Sequence, residues 1–283
     1  MLPYVLVLSA TLLFALQFLF NQSYQKQMGG TFSATLLFAL HYSVAAALIM
    51  FAIGGFRMSF SWFSFGMAIL GATFALSFSY FSIKAFSTVN LANYSAFSML
   101  GGMLFPFLIG LIFYHEGMTV GKAFACVCIF AALLCGMERD KGLSKKSLFY
   151  YAGVFVLNGM VGVVAKIHQS SAQAIQTEHF MVTKFLIILC VCAILLLIRE
   201  KKIRLLSPKP LLFATGFGVF TGLGNLFSFI ALLSLPASVH SPIVTGGTMV
   251  FSFLVSLIRR EKCSWRSLLS VLLAVTAGVL IIL

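Results

Sequence analysis

The chain has 283 residues, of which 61% are hydrophobic and only 9% are charged, and its mean hydropathy is +1.06. Soluble domains carry about a quarter charged residues, so this composition excludes a water-soluble globular protein. The net charge of +13 does not indicate nucleic-acid binding, because basic residues beside membrane spans serve orientation and headgroup contact. The apolar residues form blocks of about 20, the length that a helix needs to cross a bilayer. We therefore predict an all-α integral membrane protein that spans the lipid bilayer several times.

Ten apolar blocks follow one another along the chain, and each predicts one transmembrane helix. The polar breaks between them are short, and the two longest and most charged lie at 138–147 and 199–208. None of the breaks is long enough for a soluble domain. The predicted spans are 4–24, 32–55, 62–86, 90–114, 119–137, 148–168, 178–198, 209–233, 237–258 and 265–283.

The two halves of the chain resemble each other at an offset of about 145 residues. At this offset Gly101-Gly102 lies over Gly246-Gly247, and Glu116 lies over Glu261. Five helices is an odd number, so the second copy enters the membrane from the opposite side. Inverted repeats of this kind are the usual framework of secondary transporters. We predict a first five-helix repeat at 1–137, a charged inter-repeat loop at 138–147 and a second five-helix repeat at 148–283.

Basic residues indicate how the chain is oriented. Most of the 19 lysines and arginines lie in the breaks that follow odd-numbered spans. The positive-inside rule places those breaks in the cytoplasm. We therefore expect a multi-pass protein of the cell membrane with both termini outside.

The end of each repeat carries a family likeness. The string Phe113-Tyr114-His115-Glu116-Gly117-Met118-Thr119, followed by an apolar helix to Gly136, resembles the ending of an EamA-like repeat in the drug/metabolite transporter (DMT) superfamily. Arg260-Glu261-Lys262-Cys263-Ser264 is similar to the same ending in the second half. The resemblance covers essentially the whole chain and implies ten transmembrane helices and a transport function. Gly101 and Gly246 stand where members of the family often have a proline.

Acidic residues narrow the mechanism. All six fall in breaks or at helix ends, so no carboxylate is available in mid-membrane to exchange a proton for a cationic drug. Glu116 and Glu261 precede the helix starts at Thr119 and Ser264, where a carboxylate can accept hydrogen bonds from free backbone N–H groups, so we expect a structural role for both. The six acids are Glu116, Glu138, Asp140, Glu178, Glu200 and Glu261.

Polar side chains lie within the spans that line the central cavity in related architectures. Their amides, hydroxyls and aromatic rings suit a neutral, zwitterionic or anionic polar solute. Glycine pairs beside hydroxyls serve either close helix packing or a water-filled site, and the sequence leaves both open. The candidates for substrate binding are Gln17, Asn21, Ser77, Tyr80, Asn93, Ser98, Asn158, Lys166, Asn225, Ser228, His240 and Thr245, and the repeat-signature residues are Gly101, Gly102, Glu116, Gly246, Gly247 and Glu261.

Three further ionisable residues lie within or near the ends of spans. His41 is too deep to reach the interface, so we expect it to form a hydrogen bond between helices, with direct contact to the substrate as the alternative. For Lys166 and Lys184 the sequence leaves two roles open, extension to the membrane interface or a place in the cavity.

The sequence thus predicts a secondary active transporter that moves a small polar metabolite, such as an amino acid, by alternating access. Export follows from the family likeness alone. A drug or a sugar-phosphate or nucleotide-sugar exchanger is the alternative within transport, and a membrane-embedded enzyme acting on lipid is the alternative outside it. No catalytic residue, cofactor, metal site or Gly-x-x-x-x-Gly-Lys motif is predicted. The coupling ion and the choice between monomer and homodimer stay open.

Overall fold

The computed structural model describes residues 2–87, 91–113, 118–136, 145–201, 206–232, 234–235, 237–261 and 263–280. These residues form ten helices and no strand, which confirms the predicted all-α class. The helices are α1 (Leu2–Met28), α2 (Phe32–Ile53), α3 (Trp62–Ala85), α4 (Leu91–Phe113), α5 (Val120–Gly136), α6 (Lys145–Gln169), α7 (Thr177–Glu200), α8 (Pro208–Leu232), α9 (Ala237–Ile258) and α10 (Trp265–Leu280).

Each predicted span corresponds to one helix, with bounds that differ by a few residues. The largest difference is at the end of α1, which continues to Met28; in this added part Gln25 is buried and its carbonyl oxygen accepts from the Gly29 N–H at 2.8 Å. Helix α6 begins at Lys145, inside the predicted inter-repeat loop.

Seven of the helices, α1 to α4 and α6 to α8, are long and apolar enough to cross a membrane. The protein is therefore a multi-pass membrane protein. In the described residues α5, α9 and α10 contain shorter apolar segments. That these three also cross the bilayer stays a prediction.

Eight helices pack side by side as a closed ring in the order α1, α8, α2, α7, α3, α6, α4, α9 and back to α1. Helices α5 and α10 lie outside this ring, against each other and against α4 and α9. Neighbours in the ring alternate between the two halves of the chain, so most of the packing joins one half to the other.

The ring is unchanged when each helix is replaced by the one five places along the chain. The contact of α1 with α8 becomes that of α6 with α3, and the contact of α1 with α9 becomes that of α6 with α4. Adding 145 to the bounds of α1 to α5 also reproduces those of α6 to α10 to within four residues. Phe32 maps to Thr177, Phe113 to Ile258 and Val120 to Trp265.

Glycines allow the ring helices to approach closely. A Cβ atom added at Gly216 of α8 would overlap the ring of Phe20 on α1, and one at Gly218 would overlap the Tyr42 carbonyl oxygen on α2. Helix α8 is therefore held between α1 and α2 at positions where only glycine fits. Small residues serve this purpose in membrane bundles, because lipid provides no hydrophobic force between helices.

The two ends of the bundle differ in charge. We call the end with the loops after α1, α3, α7 and α9 the basic face, since Lys26, Arg199 and Arg259 lie there. The end with the loops after α2 and α6 is the opposite face.

Candidate functional site

The contact of α1 with α8 carries a polar group near the middle of the membrane. Thr221 Oγ1 donates a hydrogen bond to Gln17 Oε1 at 2.7 Å and also lies 2.7 Å from the Phe217 carbonyl oxygen. One turn further along α8, Asn225 Nδ2 donates to the Thr221 carbonyl oxygen at 2.7 Å. Gln17 and Asn225, two predicted site residues, are thus linked through Thr221, which the sequence did not single out.

The contact of α4 with α6 carries a second polar group at a similar depth. Asn158 Nδ2 donates to the Ser98 carbonyl oxygen at 2.6 Å. Gly102 lies directly opposite, since an added Cβ would be 2.8 Å from Asn158 Nδ2. Two predicted site residues therefore meet at this contact.

A third polar pair joins α8 to α9, nearer the opposite face. His240 Nε2 lies 2.9 Å from Ser228 Oγ and 3.1 Å from the Ser228 carbonyl oxygen. Both side chains are buried, His240 with 8% of its surface exposed. Because the carbonyl only accepts, this geometry favours a proton on Nε2.

Other predicted residues do not meet. The ring of Tyr80 lies 6.0 Å from that of Phe32 and 5.7 Å from Lys84 Nζ, at the basic end of α3, and no described contact joins it to Asn225. Asn21 and Asn93 are buried, and Asn21 Oδ1 has no hydrogen-bond partner among the described residues. The partly exposed members of the set are Gln17, Ser77, Tyr80, Asn158, Lys166, Asn225 and Thr245.

The glycine pairs lie at helix contacts. A Cβ at Gly101 would overlap the Phe155 carbonyl oxygen of α6. In the second half, a Cβ at Gly247 would lie 2.9 Å from Thr11 of α1, and one at Gly246 would lie 3.3 Å from Val275 of α10. Of the two roles that the sequence left open, the geometry favours close packing.

Glu261 stabilises a different helix from the one that the sequence indicated. Its Oε2 accepts a hydrogen bond from the backbone N–H of Leu91, at the start of α4, at 3.0 Å. Its Oε1 lies 3.5 Å from Lys26 Nζ of α1. The start of α10 is capped instead by Ser264, whose Oγ accepts from the Ser267 N–H at 3.2 Å. Glu116, the predicted counterpart in the first half, lies outside the described residues.

The prediction for His41 was wrong. Its Nδ1 donates to the Leu37 carbonyl oxygen one turn earlier in the same helix, at 2.7 Å, instead of bridging two helices. Lys184 is buried, with 7% of its surface exposed, so it does not extend to the interface.

Serine–histidine contacts at the opposite face were missed from the sequence. Ser59 Oγ lies 2.6 Å from His179 Nδ1, and Ser64 Oγ lies 3.0 Å from His168 Nε2. The Ile175 N–H also donates to Ser64 Oγ at 3.1 Å. These contacts join the α2–α3 connection and the start of α3 to the end of α6, the α6–α7 connection and the start of α7. Two histidines and a run of serines beside loops of the same face were the available signal.

A cavity of about 470 Å³ opens near the basic face, between the start of α2 and the end of α7. None of the predicted substrate-binding residues lines it. Its described lining is Met28, Thr31, Ser33, Ala34, Leu37, Arg199, Glu200, Leu206 and Ser207.

The helix ring and the apolar spans define a polytopic membrane protein. The chain carries an EamA-like transporter domain, since residues 145–283, which comprise α6 to α10, match the EamA-like transporter family. It is therefore a membrane transporter.

Solved structures support the fold over the whole chain. Nineteen solved chains match, among them a crystal structure that carries no functional name. That structure is 14% identical to this chain, covers 96% of each and gives a TM-score of 0.59. Identity this low establishes the fold alone. No curated protein matches the sequence.

Proposed function

We propose that this protein is a secondary active transporter that exports small polar metabolites, with amino acids as the expected class. It would work by alternating access between two inverted five-helix repeats, α1 to α5 and α6 to α10. Export rests on the likeness to the DMT superfamily, and cytoplasmic placement of the basic face rests on the positive-inside rule.

Two features of the ring support the inverted repeat. Its order is preserved when the two halves are exchanged, and the helix bounds repeat at an offset of 145. An odd number of helices in each repeat gives the two copies opposite orientations. Two such bundles can exchange conformations and thereby expose one central site to either side of the membrane.

The observation that carries the proposed site is the exposure of amide side chains in mid-membrane. Gln17, Asn158 and Asn225 lie near the middle of α1, α6 and α8, yet each keeps part of its surface accessible. Amides facing hydrocarbon would cost several kcal/mol each. The partial exposure of these three side chains is therefore better satisfied by a hydrated interior than by lipid. Neutral amides and hydroxyls recognise a polar solute through hydrogen bonds and place no acidic group beside it.

The test is uptake into proteoliposomes loaded with unlabelled amino acids. A uniformly labelled mixture of the twenty protein amino acids is supplied outside, and counterflow is measured with the full chain. Asn225→Ala and Asn158→Ala are each expected to reduce the initial rate about 2- to 10-fold, the effect of one lost hydrogen bond.

The matched control is Thr276→Ala, which removes a hydroxyl from α10, outside the ring; among the described residues this hydroxyl bonds only the Leu272 carbonyl oxygen of its own helix. It is expected to keep the wild-type rate. Absence of counterflow in the wild type would refute amino acids as the cargo. Full activity of both asparagine variants would refute the placement of the site.

A further inference from the structure

Lys184 is a buried basic residue deep within a membrane helix. It is the eighth residue of α7, which begins at Thr177, so it lies about 10 Å along the helix from that end at 1.5 Å per residue. Only 7% of its surface is exposed. Lysines that extend to the interface leave the ammonium group in water, and this residue does not.

The surroundings of Lys184 place it inside the ring packing. Its Cδ lies 3.3 Å from the position that a Cβ of Gly71 on α3 would take, and Val164 Cγ1 of α6 lies 3.5 Å from the same position. The methylene stem thus occupies space that Gly71 leaves free, where α3, α6 and α7 meet. Residue 71 could hardly be larger without displacing the lysine.

No described group compensates the charge of Lys184. Lys184 Nζ lies 5.1 Å from the centroid of the Phe185 ring. It forms no hydrogen bond or ion pair with a described residue. Glu178 and Glu200 lie at the two ends of α7. On α6, one turn beyond Val164, His168 is bonded to Ser64 and stacks on Phe180 at 4.0 Å.

An uncompensated charge in this position is costly, since a charged lysine within a membrane helix disfavours insertion. Buried charges in proteins are normally paired. Gly71 leaves space for the Lys184 side chain, and no described residue neutralises its charge. A cation in such a position is suited to bind an anionic ligand.

We propose that Lys184 is the anion-binding residue of the transport site and pairs with the carboxylate of the substrate. This inference rests on the proposed function, because it assigns the charged end of an amino acid to the place where α3, α6 and α7 meet. Asn158 lies six residues before Val164 on α6, about 9 Å along the helix. The polar groups in mid-membrane and Lys184 can therefore belong to one path across the protein.

The test measures thermal stability and ligand response of the purified full chain. Three probes are used at equal concentration and constant pH: the mixture of twenty amino acids, the mixture of their C-terminal amides, and inorganic phosphate. Lys184→Met keeps an unbranched side chain that is one heavy atom shorter and removes the charge. Lys122→Met makes the same change on α5, outside the ring, and serves as the matched control.

The amino acids are expected to raise the Tm of the wild type and of Lys122→Met, whereas the amides are not. For Lys184→Met the affinity should fall at least tenfold, the effect of losing a hydrogen bond to a charged group. The ligand-free Tm of Lys184→Met should equal or exceed that of the wild type, because an unpaired buried charge is replaced by an apolar group.

The outcomes separate this inference from the proposed function. A response of the wild type to phosphate alone, lost in Lys184→Met, supports the anion site and refutes amino acids as cargo. An unchanged amino-acid response in Lys184→Met refutes the anion site and leaves amino-acid transport intact. A lower ligand-free Tm for Lys184→Met would reveal an internal partner and also overturn the inference.

Discussion

In the first half of the chain, aromatic rings pack between α1, α3 and α4 toward the basic face. The corresponding positions of the second half carry smaller aliphatic side chains. Tyr94 of α4 lies 5.2 Å from Phe18 of α1 and 3.9 Å from Phe86, just after α3, as measured between ring centroids. Ser82 of α3 also bonds the Tyr94 hydroxyl at 2.5 Å. At an offset of 145, the counterparts of Phe18, Phe86 and Tyr94 are Val163, Ala231 and Val239.

This difference shows that the two halves of the chain are not packed in the same way. Among the described residues, α1 reaches across the ring to α3 and α4, and α6 approaches α8 and α9 less closely. The described state is therefore more tightly closed around α1, α3 and α4 than around their counterparts. Under the proposed alternating access, closure of one face would be exchanged for closure of the other, and the residues that differ between the halves would set the balance between the two states.

The largest expected effect comes from removing the aromatic closure. Phe18→Ala deletes a ring that is 2% exposed and should lower the free energy of unfolding by about 3–5 kcal/mol. Val163→Ala, the matched change in the second half, should cost about half as much, because fewer buried carbons are lost. Denaturant titration of the purified proteins measures both. Equal losses would mean that the aromatic cluster contributes no additional packing.

A smaller effect is expected from the glycine pairs. Gly101→Ala forces a methyl group against the Phe155 carbonyl oxygen and should destabilise by about 1–3 kcal/mol. Gly246→Ala approaches the Val275 side chain at 3.3 Å, without overlap, and should cost less than about 1 kcal/mol. The difference in Tm between the two variants is the measurement. A reversed order would contradict the described contacts.

The smallest effect is expected at the acidic residues that precede the last helix of each repeat. Glu261→Ala removes the acceptor at the start of α4 and should cost about 1 kcal/mol. If the repeat is inverted, Glu116→Ala should cost a similar amount through the start of α9. Thermal unfolding of the two variants compares them. A loss confined to Glu261→Ala would show that the halves differ here as well.

The helices could be predicted from the sequence, because a long apolar segment in a bilayer satisfies its backbone hydrogen bonds by forming a helix. Contacts near the helix ends could not be predicted in this way; the hydrogen bond from the Tyr24 hydroxyl to the Ala34 carbonyl oxygen is an example. The hydrogen-bond partners of polar residues were harder to predict. Glu261 precedes α10 in the chain but binds the start of α4, and His41 bonds its own helix.

The candidate site was only partly predictable for the same reason. Gln17 and Asn225 were identified as polar residues in mid-span, but their link through Thr221 depends on the position of α1 beside α8. The role of Lys184 could not be assigned from the sequence, because a lysine that extends to the interface and a buried lysine occur in the same sequence pattern. Gly71, on another helix, is what distinguishes them.

The alternation of halves around the ring has a consequence for biosynthesis. When α1 to α4 have been inserted, the partners of Gln17 on α8 and of Ser98 on α6 have not yet been synthesised. Helices α1 to α4 therefore make few contacts with one another until the later helices insert between them. Two co-expressed fragments, divided between α5 and α6, should assemble into the same ring, while neither fragment alone should resist proteolysis.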